Sequence, residues 1–562
     1  MDVEKLSKKV KDLLLFKEPL KDNSFALVEN PSENIRSDSK TINNNTETNS
    51  TTNSVSLKVN RNLALNLRYL KEKFTLPLNS DVLIREFHIN LMDKSINAFI
   101  IFLDGMVDKK IINDNILKPL MLLSNKTEKS SSSDIIALLR NALIINDQLT
   151  VTKEYDLLIK EINFGSCTLF VDNVELAFVI DVKGFEHRGV GKPDNELVIR
   201  GPQEGFNENL RTNTSLIRKR LKDEDLIIEN ISIGKRSNTP CAILYIKDIA
   251  NNSLVEEVRK RLNSISIDYI NDSSEIEQLI EDSPILPAPQ MTATERPDRT
   301  ATLLAEGRVA ILVNGSPYCL ILPITFYDLT HSVEDIYTRF PGGNLLRIIR
   351  FIGVFCALLL PGFYIAITNY HQEMIPTGLL LAIEASREKV PFPSIVEILI
   401  MEISFELIRE AGIRIPGPIG PTLGIIGALI LGQAAVAANI VSPILIIIVS
   451  VTGIGSFSVP DFTLGFNFRI LRFVYIVLAV FSGFLGIATG IFIHGLFLVN
   501  AKSFGVPFLS PYAPRTSPHK NNELYRKPMW KQEKRPDYLN PKDMTKEPPI
   551  SRGWYKSKKT KS

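Results

Sequence analysis

Hydrophobic and polar positions are arranged in two different ways along the chain. Up to about residue 345, apolar residues come in short runs between polar stretches. Beyond it they run on without charge: 415–460 contains no Asp, Glu, Lys, Arg or His, 473–501 contains only His494, and 351–370 contains no charge. A hydrocarbon core about 30 Å thick needs about 20 apolar residues in a helix. The C-terminal third therefore predicts four membrane spans, at about 348–370 (containing Pro361), 419–438, 443–459 and 472–499, with 439–443 breaking the middle pair. A buried helical core of a soluble protein would need uncharged helices of unusual length. Gly483, Gly486, Gly490 and Gly495 in the last span would let another helix approach closely.

The first half carries shorter periods. Residues 61–73 have helical spacing, 82–89 and 97–105 read as strands, and 118–123 falls within another helix. Residues 125–134 read as a loop and 135–144 as a short helix. Residues 167–182 read as a hairpin, with Asp172 and Asn173 supplying its turn. Residues 241–249 form an apolar strand that leads into a helix, where Ser253 and Glu256 make a capping-box pattern. Leu254, Val258 and Leu262 share one face of that helix, and 266–270 returns as a strand. Asn314-Gly315 between two apolar runs is a second hairpin signal. Strand–helix–strand order favours α/β organisation.

The expected fold class is an α/β soluble N-terminal region of two subdomains plus an α-helical multi-span membrane domain. Residues 1–56 are expected to be disordered beyond a short amphipathic helix at 1–22, because the Asn-, Ser- and Thr-rich 22–56 cannot bury enough apolar surface. Residues 57–150 and 151–283 are the two cytoplasmic subdomains. Residues 284–300 form a Pro-rich linker, 301–345 a membrane-proximal segment, 346–501 the transmembrane domain, and 502–562 a basic cytoplasmic tail.

Charge sets the orientation. The net charge of +3 says little, but 502–562 holds fifteen Lys and Arg against five acids. Arg339, Arg347 and Arg350 flank the first span. Four spans put both ends on one side, and the positive-inside rule makes that side cytoplasmic. Arg469 and Arg472 then fall on the outer side, against the rule. The N-terminus lacks the apolar core of a signal peptide. Cys167, Cys241, Cys319 and Cys356 are scattered, without the spacing of a metal site or disulfide framework. No Gly-rich phosphate loop precedes a helix. No cofactor, metal or nucleic acid is expected, and His88 and His187 stand outside any catalytic motif.

One segment resists this scheme. Residues 394–414 have helical apolar spacing but contain four Glu. Glu402, Glu406 and Glu410 lie at i, i+4 and i+8, on one face. A charge at mid-membrane costs on the order of 2.5–3.5 kcal/mol. The segment is therefore interfacial, re-entrant, or lines a wet cavity where a ring of carboxylates would favour cations. Pairing of Glu406 with Arg409 and of Glu410 with Arg414 on a solvated face is the alternative.

RGPQEGFNENLRTNTSLIRKRLKDEDL (200–226), TERPDR (294–299), EGRVAILVNGSP (306–317), NYHQEMIPTGLL (369–380), PFPSIVEILIMEISFELIREAGIRIPGPIG (391–420), GALILGQAAV (427–436) and SFGVPFLSP (503–511) resemble the A subunits of bacterial spore germination receptors. The resemblance covers about 60–512. Asn314, in place of a commoner Asp, and the form of 326–337 depart from the pattern. They leave a nutrient receptor subunit and its sporulation-locus paralogue, stage V sporulation protein AF, both open. The resemblance marks Arg200, Gly201, Pro202, Glu204, Gly205, Glu295, Arg296, Pro297, His371, Glu373, Pro376 and Gln433 as motif residues. It implies the inner membrane of a dormant spore, a transporter-like B subunit, a lipoprotein C subunit, homo-oligomers and an ion pathway or gate among membrane lipid. Glu402, Glu406, Glu410 and Pro361 are the candidate pore or gating residues. A secondary transporter is a competing reading, because Gly- and Pro-broken spans suit transporter sites too.

Overall fold

The computed structural model describes residues 58–91, 94–122, 149–184, 191–193, 196–284, 286, 288–413, 419–514 and 525–547. The helix expected at 1–22, the disorder expected at 22–56, the loop and helix expected at 125–144, and Arg414 lie outside them.

Two five-stranded sheets form the first half. The first gathers α1 (Leu63–Lys73), β1 (Val82–Leu91), β2 (Lys94–Leu103), β3 (Leu149–Thr152), α2 (Tyr155–Asn163), β4 (Ser166–Val171) and β5 (Ala177–Asp181), in strand order β1-β2-β4-β5-β3. The second gathers α3 (Leu210–Arg220), β6 (Leu226–Ile233), β7 (Thr239–Ile246), α4 (Asn252–Ser264), α5 (Ser273–Ile280), β8 (Thr292–Thr294), α6 (Pro297–Leu304), β9 (Val309–Val313) and β10 (Cys319–Leu322), in order β6-β7-β9-β10-β8. The two orders are the same. Period-2 alternation serves both faces of each sheet. Ile100, Leu169 and Ile180 face one core and Phe99, Phe170 and Val179 the other. In the second sheet Ile243, Ile311 and Leu320 oppose Leu244, Leu312 and Ile321.

The duplication reaches single residues. Asn60, ahead of α1, exchanges hydrogen bonds with Asn66 in its first turn, and Asn62 caps that helix by accepting from the Ala64 amide. Asn207, Asn213 and Asn209 repeat the arrangement at α3, 147 positions later. The hairpin turns also correspond, with Asn173 at φ 63° and Gly315 at φ 93°. Both expected hairpins therefore form. A buried pair locks the copies together, with Arg218 donating to both Asp81 carboxylate oxygens at 2.8 and 2.9 Å.

Several expectations change. Helices and sheets mix as expected, but every strand pair among the described residues is antiparallel. The boundary at 150 falls inside β3, which pairs with β5 in the same sheet as β1. The Pro-rich 284–300 is no linker: it supplies β8 and opens α6, where Pro297 sits at a position whose amide needs no partner. The first part of 301–345 supplies the buried strands β9 and β10. Residues 266–270 form no strand. The cap of α4 is Asn251, whose side chain accepts from the Ser253 amide, rather than a Ser253–Glu256 box.

The second half is helical: α7 (Phe340–Tyr370), α8 (Thr377–Arg387), α9 (Ser394–Ile413), α10 (Ile419–Ala437), α11 (Pro443–Phe457) and α12 (Phe462–Asn500). Two of these, α7 and α12, are long and apolar enough to cross a membrane. The break expected at 439–443 is present, with Asn439 at φ 53°. The last expected span is different from a single rod. Gly483 leaves helical geometry, at φ 55° and ψ −132°. The chain doubles back there, so that Gly486 abuts the Leu478 carbonyl and Gly490 lies against Tyr475 and Leu478. Gly486 and Gly490 thus pack on the first arm of their own helix, while Gly483 abuts Tyr370 of α7 and Gly495 meets no neighbour within 4 Å. Leu464, Phe468, Leu498 and Ala501 consequently share one cluster with Ile324 and Leu329 of the sheet domain.

Candidate functional site

The acidic face of α9 meets a basic face of α12. Arg469 and Arg472 are three positions apart and share one side of the first arm. Glu402 and Arg472, each 1% exposed, pair at 3.0 Å. Arg472 also reaches Glu406 at 2.8 Å, and Arg469 reaches it at 3.1 Å. Arg409 adds a contact to Glu406 at 3.6 Å and donates to the Ser456 hydroxyl of α11 at 2.7 Å. The cluster thus ties α9, α11 and α12 together. Burying ions is costly unless each has partners, and three arginines here enclose two carboxylates. Glu410, one turn on, is exposed. At the other end of α9 the buried Glu397 accepts from the Ser442 amide at 2.9 Å and lies 3.6 Å from Arg387. Sequence reasoning named the carboxylates but missed Arg469 and Arg472 as their partners. The signal was their own helical spacing inside an apolar run.

The other helical candidates are spread out. Pro361 is buried in α7, beside Gly362, which approaches the Tyr475 carbonyl. His371 ends α7 and stacks on Phe484, with ring centroids 5.0 Å apart. Glu373 and Gln433 are exposed, and Pro376 precedes α8.

The motif residues of the sheet domain converge. Arg296 is fully buried and donates to the carbonyls of Glu196 at 2.9 Å and Pro202 at 2.8 Å, and to Asp298 at 3.0 Å. The Phe206 amide donates to the Glu295 carbonyl at 2.7 Å, and the Gly205 amide to Gly191 at 2.9 Å. Glu204 pairs with Lys219 at 2.6 Å and Arg220 at 2.9 Å. Arg200 is exposed. Gly201, at φ +138°, leaves room for the Tyr337 ring, which a Cβ would meet at 2.7 Å. The Tyr337 hydroxyl donates to Asp298 at 2.5 Å. Burial and the Asp298 carboxylate push that phenol up to about 12. Pro202 and Arg296, 94 positions apart, are thus joined to a tyrosine three residues ahead of α7.

The base of α7 is clamped by the tail. Asp335, with no exposed surface, takes both Arg350 terminal nitrogens at 2.6 Å and Arg347 at 3.4 Å. Arg526 of the tail donates to the Asp335, Thr338 and Ile336 carbonyls and exchanges backbone hydrogen bonds with the Asn344 side chain. Nearby, burial opposes ionisation of Asp328, but Arg308, bidentate at 2.9 Å, holds its carboxyl below the ordinary value.

At the sheet–helix junction, burial, with the Asp461 and Glu281 carboxylates close by, pushes the Glu277 carboxyl up to about 7. A raised carboxyl pKa means the folded state resists ionisation, so stability falls as pH rises from about 4.5 through 7. Glu277→Gln is therefore expected to raise the stability of the full chain in detergent at pH 8 by about 1–3 kcal/mol and to leave it unchanged at pH 4. Thermal melts at the two pH values check this.

The fold and these sites define a class: a duplicated, antiparallel sheet domain wired by buried arginines to a bundle of apolar helices. Residues 68–538 match the family described as Bacillus/Clostridium GerA spore germination protein. The chain belongs to that family. It is 39% identical to spore germination protein KA of Bacillus subtilis over 88% of this chain and 91% of that protein. It is 38% identical to spore germination protein GerLA of Bacillus cereus, over 88% and 98%. The crystal structure of the N-terminal domain of the A subunit of the Bacillus megaterium germinant receptor GerK3 is 30% identical, covering 48% of this chain and 98% of that one at a TM-score of 0.38. Family and apolar helices together associate the chain with a membrane.

Proposed function

We propose that this chain is the A subunit of a germinant receptor, converting a signal from partner subunits into cation release across the spore inner membrane. A transporter-like B subunit and a lipoprotein C subunit are its partners. The observation that carries the reading is the Arg296–Asp298–Tyr337 connection, which hands any movement of the sheet domain to the first residues of α7. Helix directions support a multi-span arrangement with both flanks cytoplasmic. Neighbours along α7, α9, α10, α11 and the two arms of α12 alternate, for Ser394 lies by Asn369, Gly427 by Ile408, Gly453 by Phe405 and Gly455 by Gly353. The doubled α12 returns the chain to the side it left, so in this reading Arg469 belongs to the cytoplasmic half. Exposed Ile348, Ile352, Leu407, Ile454, Phe481 and Leu485 suit lipid or further copies of the chain.

In this reading the α9–α12 cluster is the gate's lock, and the exposed Glu410 is the member of the stripe that faces an ion pathway. Pro361 lies in the helix against which the doubled α12 moves. Glu402→Gln keeps Arg472 paired with Glu406 but weakens the lock. Spores carrying it at normal abundance are expected to release cations at about tenfold lower germinant. An unchanged dose response would remove the gating role. The sporulation-locus paralogue and the transporter are separated from this reading by the same assay, through loss of germinant dependence or saturable coupling to a second solute.

A further inference from the structure

The tail segment 525–547 roofs a cavity of about 840 Å³ against the second sheet domain and the base of α7. Its size suits an organic ligand. Nine Lys and Arg line it against four Asp and Glu. The cations come from four separate places: Arg299 on α6, Arg308 before β9, Arg347 on α7, and Arg526, Lys531 and Lys534 on the tail. Arg308 is 1% exposed, and its Nε–H reaches no hydrogen-bond acceptor. Among the described residues neither Lys531 nor Lys534 pairs with a carboxylate, and both are exposed. Arg299, Arg308, Arg347 and Arg526 already hold protein acceptors, so the donors left to the cavity are the Arg308 Nε–H and the two lysine ammoniums. Cationic donors around a concave space are anion chemistry, matched to phosphate and carboxylate oxygens.

The rim says which anion. Met529 is 52% and Trp530 41% exposed, and the Trp530 ring stands edge-on to Phe340, the first residue of α7, at 6.5 Å. One turn along the same helix the outward residues become Leu345, Ile348 and Ile349, all more than half or about half exposed. A tryptophan beside such a belt marks the headgroup level of a bilayer. A soluble anion would use the cations and leave this apolar rim idle. A phospholipid uses both, with a phosphate inside and acyl chains along α7.

We propose that this cavity holds the headgroup of an anionic phospholipid and thereby docks the tail to the membrane surface. The inference rests on reading α7 as membrane-embedded. The test uses the full chain purified in mild detergent. Dioleoylphosphatidylglycerol, dioleoylphosphatidylcholine and inorganic phosphate are each titrated while the thermal midpoint is followed. Phosphatidylglycerol is expected to raise the midpoint, and the other two are not. Lys531→Gln with Lys534→Gln should weaken the apparent affinity about tenfold, at roughly one factor of three or more per lysine. Lys531→Arg with Lys534→Arg should retain it, and added salt should weaken the wild-type effect. Equal shifts from both lipids overturn the proposal. So does an inorganic-phosphate shift abolished by the Gln variant, which would make this a site for soluble anions. Loss of the effect in the Arg variant overturns it too, because charge would not then be what is read. A chain that stays in solution without detergent fails the membrane reading as well. A detergent-dependent chain without lipid preference fails this proposal alone.

Discussion

Arg472→Met is expected to cost about 3–5 kcal/mol, the usual penalty for leaving a buried charge without its partner. Glu402 is 1% exposed, and Arg472 is its one ion-pair partner among the described residues. Glu406 fares better, since Arg469 and Arg409 remain. The asymmetry gives a sharp control. Adding Glu402→Gln to Arg472→Met removes the stranded charge and should restore most of the loss, whereas adding Glu406→Gln should not. Thermal midpoints in detergent and protein abundance in the membrane fraction measure both. A midpoint unmoved by Arg472→Met, or a double variant as unstable as the single, would show that the cluster does not hold α9 to α12.

The second large effect falls on the sheet domain. Arg296→Met deprives the Glu196 and Pro202 carbonyls of their guanidinium donor and leaves Asp298 with Tyr337. Unsatisfied buried acceptors cost about 1–3 kcal/mol each, so a loss of about 3–5 kcal/mol is expected. For a domain of this size that lowers the melting midpoint by roughly 10 °C. Arg296→Lys should recover little, because one ammonium cannot span carbonyls contributed by two loops and the Asp298 carboxylate at once. Protease sensitivity near 196–205 should rise in both variants. Resistance equal to the parent chain would mean the loops are held by packing rather than by Arg296.

Much of this architecture was legible locally. Apolar patterning located α9, α10 and α11 to within a few residues, whereas α7 and α12 begin about eight to ten residues before the spans expected there, and α8 had no counterpart among the expected spans. Asp172-Asn173 and Asn314-Gly315 marked both hairpins through turn geometry alone. What was not legible depends on distant pairing. Nothing near residue 150 says that β3 lies beside β5 and belongs with β1. Hydropathy runs unchanged through Gly483, so a reversal made by one residue's dihedral angles left no trace in it. The carboxylates on α9 were visible, but the arginines that close on them lie 63 to 70 positions away on another helix. One missed signal was within reach. NRNLALN at 60–66 and NENLRTN at 207–213 announce the duplicated sheet domain.

The docked tail has a consequence for how the molecule comes into being. Asn251 donates to the Asn540 carbonyl and Lys542 to the Ile249 carbonyl, contacts that span about half the chain. The ribosome delivers the second sheet first, then every apolar helix, and the segment that seals the sheet's flank last. Contacts of such long sequence separation form slowly, and the flank stays bare while the helices are still being made. Completion of the tail contacts thus reports that everything between has been placed. A nascent chain that stalls among the helices leaves Asp335 and Arg308 without that seal, in the state most open to proteases.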